Sequence, residues 1–212
     1  MSSNLAALLR LMLVTDDALV AGRDLLALCS SAVAGGVTSV ELRLKRASPR
    51  ELVALARDLV ATLAVPVLVN DRLDVALAAG AAGVHLGPED LPVRLARRTA
   101  PAGFLIGASV GSLLDSENGR AADYWGVGPW RATATKGDAG AALGPEGFRA
   151  IVASADGSPC VAIGGVRPED VQEIQRAGGI GVAVVSGILG GDDVEQAARQ
   201  YWSLVTGHWS PQ

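Results

Sequence analysis

Short apolar runs alternate with longer amphipathic stretches along nearly all of this 212-residue chain. Eight runs have strand length and are rich in Val, Ile and Leu: LMLVT (11–15), TSVELR (38–43), PVLVN (66–70), AGVHL (82–86), FLIGAS (104–109), DYWGVG (123–128), PCVAIG (159–164) and GVAVVS (181–186). Continuous apolar strands of this kind belong to parallel sheets covered on both faces. Between them lie helix patterns. SPRELVALARDLVATL puts Ser48 at an N-cap, Pro49 at the first helical position and Glu51 at the third, with Leu52, Leu55, Leu59 and Leu63 as an apolar stripe. RPEDVQEIQRAGG repeats the grammar, with Pro168 at the start, acids in the first turn, Arg176 in the last and Gly178 as the stop.

A strand-helix unit thus recurs about every 20 to 30 residues without a linker, and eight such units predict a single small (β/α)8 TIM barrel spanning residues 1–212, frayed at 207–212. An open doubly wound sheet has the same alternation, but a count of eight favours closure. A barrel gathers its functional groups at the C-terminal ends of the strands. The polar residues that follow each apolar run are therefore the candidates for chemistry.

The second run ends in VELRLK, where Glu41, Arg43 and Lys45 alternate with apolar residues. Helices cover the outside of a barrel, so this charged set points to the lumen mouth, where two cations make an anion clamp. The third and fourth runs are followed by Asp71 and Asp90, nineteen residues apart, the length of one strand-helix step. Each could be a helix N-cap. Their position on the rim that carries Arg43 and Lys45 favours a Mg²⁺ site, since that ion takes one or two carboxylates and completes its shell with phosphate oxygens and water. Ser109 closes the fifth run, and GVGPWRATATKG after the sixth offers Thr133, Thr135 and Lys136 in a long loop behind Trp130 and Arg131. The seventh and eighth end in Gly164-Gly165 and Val185-Ser186, where barrels commonly hold a phosphate. His85 falls inside a strand and reads as structural, and His208 lies in the tail.

Composition narrows the partners. With 18 basic and 22 acidic residues the net charge is −4, and no basic cluster suggests nucleic acid or an anionic membrane. Any anion must be held by a few local cations and backbone amides. Cys29 and Cys160 belong to no metal or disulfide spacing and read as buried thiols of a cytoplasmic protein. AALLRLMLV near the N-terminus is interrupted by Arg10 and lacks a cleavage site, so a secretory leader is not expected.

Taken in order, LVTD, VELRLK, VNDRLDVALAAGAAGVHLGPEDL, IGAS, ADYWGVGP…TATKG, VAIGGV and GVAVVSGI resemble the thiamine phosphate synthase family over about residues 11 to 188. The resemblance implies condensation of a hydroxymethylpyrimidine diphosphate with a hydroxyethylthiazole phosphate, giving thiamine phosphate and pyrophosphate. It further implies that Glu41 to Lys45 and Asn70 meet the pyrimidine diphosphate, that Asp71 and Asp90 hold Mg²⁺, and that Ser109 and Lys136 contact the diphosphate. The thiazole phosphate would take Thr133 to Thr135, Gly165, Val185 and Ser186. The partners so implied are small phosphorylated molecules. This chain departs from the family pattern in Glu41 where glutamine is usual, in WRA within the loop after the sixth run, and in AGGIG, which lacks an acid, before the eighth. A related thiazole tautomerase and a non-catalytic thiazole-phosphate-binding barrel are the alternatives.

Overall fold

The computed structural model describes residues 2–132 and 141–207. Eight parallel strands close in sequence order into a barrel: β1 (Leu11–Val14), β2 (Ser39–Leu42), β3 (Val67–Asn70), β4 (Gly83–Leu86), β5 (Leu105–Val110), β6 (Tyr124–Val127), β7 (Cys160–Ile163) and β8 (Gly181–Val184), with β8 pairing back onto β1. Every predicted strand is present, with ends shifted by two residues or fewer.

The helices are α1 (Ser2–Leu8), α2 (Leu25–Ala34), α3 (Pro49–Thr62), α4 (Leu73–Ala79), α5 (Val93–Thr99), α6 (Ser116–Gly119), α7 (Gly144–Ser154), α8 (Val171–Arg176), α9 (Ser186–Leu189) and α10 (Val194–Thr206), with a 3₁₀ turn at Pro168–Asp170 ahead of α8. The predicted capping box forms: Ser48 accepts from the Glu51 amide while the Glu51 carboxylate accepts from the Ser48 amide. The buried face of α3 runs through Leu52, Ala56 and Leu59; Leu55 is only half-buried, and Leu63 lies past the last turn. The expected stripe holds: Leu55 and Leu63 pack against the core beside the buried Leu52 and Leu59, and Ala56 widens the covered face.

Two apolar layers result. One lies between strands and helices and takes alternate strand residues such as Leu13, Val40, Val69, Val84, Ile106, Trp125 and Val182. The other fills the barrel with Met12, Val14, Leu68, Tyr124, Val161 and Ala183, joined by Leu5 and Leu8 of α1. Both strand faces are buried, so the strands read as continuous apolar runs. Among the described residues, the buried polar ones are Thr15, Ser39, Glu41, His85 and Asp170. Among the described residues, no helix is long and apolar enough to cross a membrane.

Candidate active site

The C-terminal ends of the strands surround a cavity of ≈ 350 Å³. Its wall includes Arg43, Ser109, Gly128, Gly164, Gly165, Val185 and Ser186, with Val14, Ile163 and Ala183 supplying an apolar floor. The rim beside β2 carries Arg43 and Lys45, each beside an acid. The Thr15 hydroxyl accepts from the Arg43 amide (2.8 Å) and donates to the Arg43 carbonyl (3.1 Å), fixing the chain where it leaves β2. The Arg43 guanidinium then reaches Asp16 at 3.4 Å, with both side chains largely buried. Asp17 accepts from the Lys45 and Arg46 amides at 2.8 and 3.1 Å, holding the segment against the loop after β1. Glu41, one turn of the strand pleat below, is buried at 3% exposure.

The Lys45 ammonium lies 3.0 Å from Asp71, and the Asp71 and Asp90 carboxyl groups face each other closely enough for each to shift the other's titration. Neither acid caps a helix. The cap position of α4 is Arg72, that of α5 is Pro92, and neither helix end takes a side-chain hydrogen bond from its cap residue. Asp71 instead adopts a left-handed backbone (φ 62°), which aspartate tolerates better than most residues, and donates its amide to the His85 carbonyl at 2.8 Å. Asp90 accepts from the Gly87 amide at 2.7 Å, within the turn that follows β4. Burial and the facing Asp71 raise the Asp90 carboxyl above its ordinary range. Burial pushes Asp71 the same way, but Asp90, Lys45 and Arg43 more than offset it and leave Asp71 low. Each carboxylate disfavours ionisation of the other, and a cation between them relieves that cost.

Across the cavity, Gly164 and Gly165 take positive φ (88° and 67°), which turns the chain sharply after β7. The turn packs on the loop after β6: the Trp130 amide donates to the Ile163 carbonyl at 2.8 Å and the Arg131 amide to Gly164 at 2.9 Å. Arg131 forms a two-pronged pair with the buried Asp170, which also accepts from the Arg167 amide at 2.9 Å. Burial pushes the Asp170 carboxyl up, but these donors outweigh it and hold it below the usual carboxylate range.

Arg43 and Lys45 with two facing carboxyls thus bound the cavity on one side, and a glycine turn beside Val185 and Ser186 bounds it on the other. The sequence pattern of the family described as thiamine monophosphate synthase matches residues 11–188. The chain belongs to that family. It is 47% identical over 202 residues to a thiamine-phosphate synthase of Azorhizobium caulinodans, covering 93% of this chain and 95% of that one. It is 46% identical to one from Chloroflexus aurantiacus, at 93% of each chain. The solved thiamine phosphate pyrophosphorylase from Pyrococcus furiosus superposes with a TM-score of 0.84 at 35% identity, over 96% of this chain and 98% of that one.

Of the residues singled out from the sequence, Arg43, Ser109, Gly165, Val185 and Ser186 line the cavity, and Lys45, Asp71 and Asp90 form one contact group at the rim. Asn70 ends β3, in register with His85 on β4. Glu41 lies within the barrel wall and is not part of the cavity lining. Thr133, Thr135 and Lys136 fall outside the described residues. Several partners carried no distinct signal in the sequence: Asp16 on Arg43, Asp17 on the Lys45 amide, Tyr124 on His85, and Asp170 on Arg131. The first two could have been sought in the acidic pair that follows the first apolar run; the others depend on which strands and loops become neighbours.

Proposed function

We propose that this chain is a Mg²⁺-dependent transferase that condenses 4-amino-2-methyl-5-hydroxymethylpyrimidine diphosphate with 4-methyl-5-hydroxyethylthiazole phosphate, releasing thiamine phosphate and pyrophosphate. The observation that carries this reading is the mutual contact of Lys45, Asp71 and Asp90 on the rim of a cavity that Arg43 and Ser109 also line. Asp71 and Asp90 fit a divalent ion: they are two hard oxygen donors that already meet each other, the number Mg²⁺ uses when phosphate and water complete its shell. When bound, that ion would supply positive charge to the diphosphate oxygens.

The chain's own residues do the rest. Arg43 and Lys45 bind the diphosphate and offset the charge that grows as the pyrimidine C–O bond breaks. Ser109 donates a hydrogen bond to a diphosphate oxygen, and Lys136 adds a third cation. The thiazole phosphate is held by Thr133, Thr135, Gly165, Val185 and Ser186, which turns the thiazole nitrogen to the pyrimidine methylene carbon. The C–O electron pair leaves with pyrophosphate and the nitrogen lone pair forms the new C–N bond, so no proton has to move. The apolar floor keeps water from the electrophilic carbon. The free thiols Cys29 and Cys160 fit a reducing compartment, and the cytoplasm is the proposed location.

The test is purified protein with both substrates and Mg²⁺, followed for pyrophosphate and thiamine phosphate. Asp71→Asn and Asp90→Asn are each expected to lose at least about 100-fold in kcat/KM while keeping the wild-type unfolding midpoint, the scale of a lost electrostatic group at the reacting charge. Thiazole isomerisation without pyrimidine, or tight thiazole-phosphate binding with no product, would overturn the synthase reading.

A further inference from the structure

A chain of polar side chains runs from the cavity wall into the lumen. His85 Nδ1 lies 3.0 Å from the Tyr124 hydroxyl, and His85 Nε2 lies 3.0 Å from the Ser109 hydroxyl. The three come from β4, β6 and β5, so the His–Tyr contact passes over the strand that separates them. It passes because that strand carries glycine there. Gly107 pairs in register with both His85 and Tyr124, and a Cβ on it would lie 2.3 Å from Tyr124 Cζ and 2.5 Å from His85 Nδ1. A Cβ on Gly126 would lie 2.8 Å from His85 Cε1. Two glycines thus leave the room that the imidazole occupies, and both of its nitrogens are engaged.

A neutral imidazole donates from one nitrogen and accepts at the other, so the chain can run in two directions. If Nδ1 donates to Tyr124, Nε2 takes the Ser109 proton, and Ser109 shows only lone pairs to the cavity. A phosphate oxygen, itself only an acceptor, is then repelled. If Tyr124 donates to Nδ1, Nε2–H donates to the Ser109 oxygen and the Ser109 proton is free to point outward. Tyr124 keeps a proton to give: burial, with the negative charges of Glu41 and Asp123, pushes its phenol well above the ordinary value. An anionic ligand on Ser109 selects the second direction.

We infer that His85 is a positioning residue: with Tyr124 donating to its Nδ1 and its Nε2–H donating to Ser109, it turns the Ser109 hydroxyl proton towards the diphosphate of the substrate. This rests on the reading of Ser109 as a diphosphate ligand given above. It assigns His85 and Tyr124, which touch no reacting atom, a share in that interaction. It also explains why two glycines face the ring where a barrel core would otherwise place larger side chains.

The test combines spectroscopy with a mutant cycle. Protein labelled with ¹⁵N-histidine is compared with its His85→Gln variant, which assigns the signal because the chain has only 2 histidines. With inorganic pyrophosphate as the probe, the neutral ring is expected in the Nε2–H tautomer. His85→Gln, whose amide can still donate to Ser109, should stay within about 5-fold of wild-type kcat/KM. His85→Leu should lose about 10- to 100-fold, the range for a hydrogen bond to an ionic partner, and His85→Leu/Ser109→Ala should be no worse than Ser109→Ala. Tyr124→Phe, which removes one hydroxyl and little volume, should shift the ring towards a mixture of tautomers and cost a few-fold, so the idea stays testable even if His85→Leu folds poorly. An Nδ1–H ring, or losses that multiply in the double variant, would overturn the role of His85. A Ser109→Ala variant with unchanged kcat/KM and pyrophosphate affinity would instead remove the diphosphate role of Ser109 itself.

Discussion

The pairing of Asp170 with the loop after β6 makes a quantitative prediction about stability. The Asp170 side chain is 1% exposed, and Arg131 is 46% exposed. One carboxylate oxygen accepts from Arg131 Nε and from the Arg167 amide, both at 2.9 Å, and the other from Arg131 Nη2. In Asp170→Asn an NH₂ replaces the second oxygen. It faces a donor, so that bond is lost; because Arg131 is half in water, the loss is worth about 1 kcal/mol rather than the full value of a buried ion pair. The bonds that remain become neutral at the acceptor and weaken, for about another 1 kcal/mol.

The total, about 2 kcal/mol at pH 7, lowers the melting temperature by about 4 to 8 °C in a chain of this size. The pH dependence checks the cause. Asp170 has a depressed folded-state pKa, so its contribution is complete above the unfolded value near about 3.9 and is lost as pH falls through the lower folded value. Urea unfolding followed by circular dichroism at several pH values should show the gap between wild type and Asp170→Asn at about 2 kcal/mol at neutral pH and closing below about pH 3. A gap that stays constant from pH 7 to about 2.5, or one under about 0.5 kcal/mol at pH 7, would refute the assignment of that stability to the ionised carboxylate.

Gly107→Ala should lower both stability and kcat/KM, since its methyl group meets Tyr124 and His85 well inside contact distance; overpacking of about 1–3 kcal/mol is the expected scale, measured by thermal unfolding alongside the assay. Gly165→Ala puts a side chain on a residue with φ 67°, 2.9 Å from Arg131 Cβ, and should raise KM for the thiazole phosphate by about 10-fold while leaving KM for the pyrimidine diphosphate within about 3-fold; equal changes in both would deny the turn after β7 a ligand-specific role. Cys29 and Cys160, both pushed to about 12 by burial, should resist alkylation by iodoacetamide in the folded protein at pH 8 and react fully once it is unfolded.

The sequence alone determined the barrel, because strand and helix periodicities are local and eight repeats of the unit leave few ways to bury the apolar runs. It also determined which residues reach the rim, since the polar residue after each apolar run is carried to one end of a parallel barrel whatever its neighbours are. Arg43, Lys45, Asp71, Asp90, Ser109 and Gly165 were legible in that way. On α3 the leucine stripe was legible, but the burial of Ala56 was not, because it depends on the surface against which the helix rests. Tertiary structure alone decided what each rim residue touches. Asp16 meets Arg43 from 27 positions away, Asp170 meets Arg131 from 39 away, and His85 meets Tyr124 across an intervening strand only because Gly107 is bare. Contacts at such separations follow from closure and register, which set distances in space that spacing along the chain does not encode. The choice between helix caps and a carboxyl pair for Asp71 and Asp90 was of the same kind. Either role suits an acid after a strand, and it took the adjacency of β3 and β4 to bring the two carboxyls together.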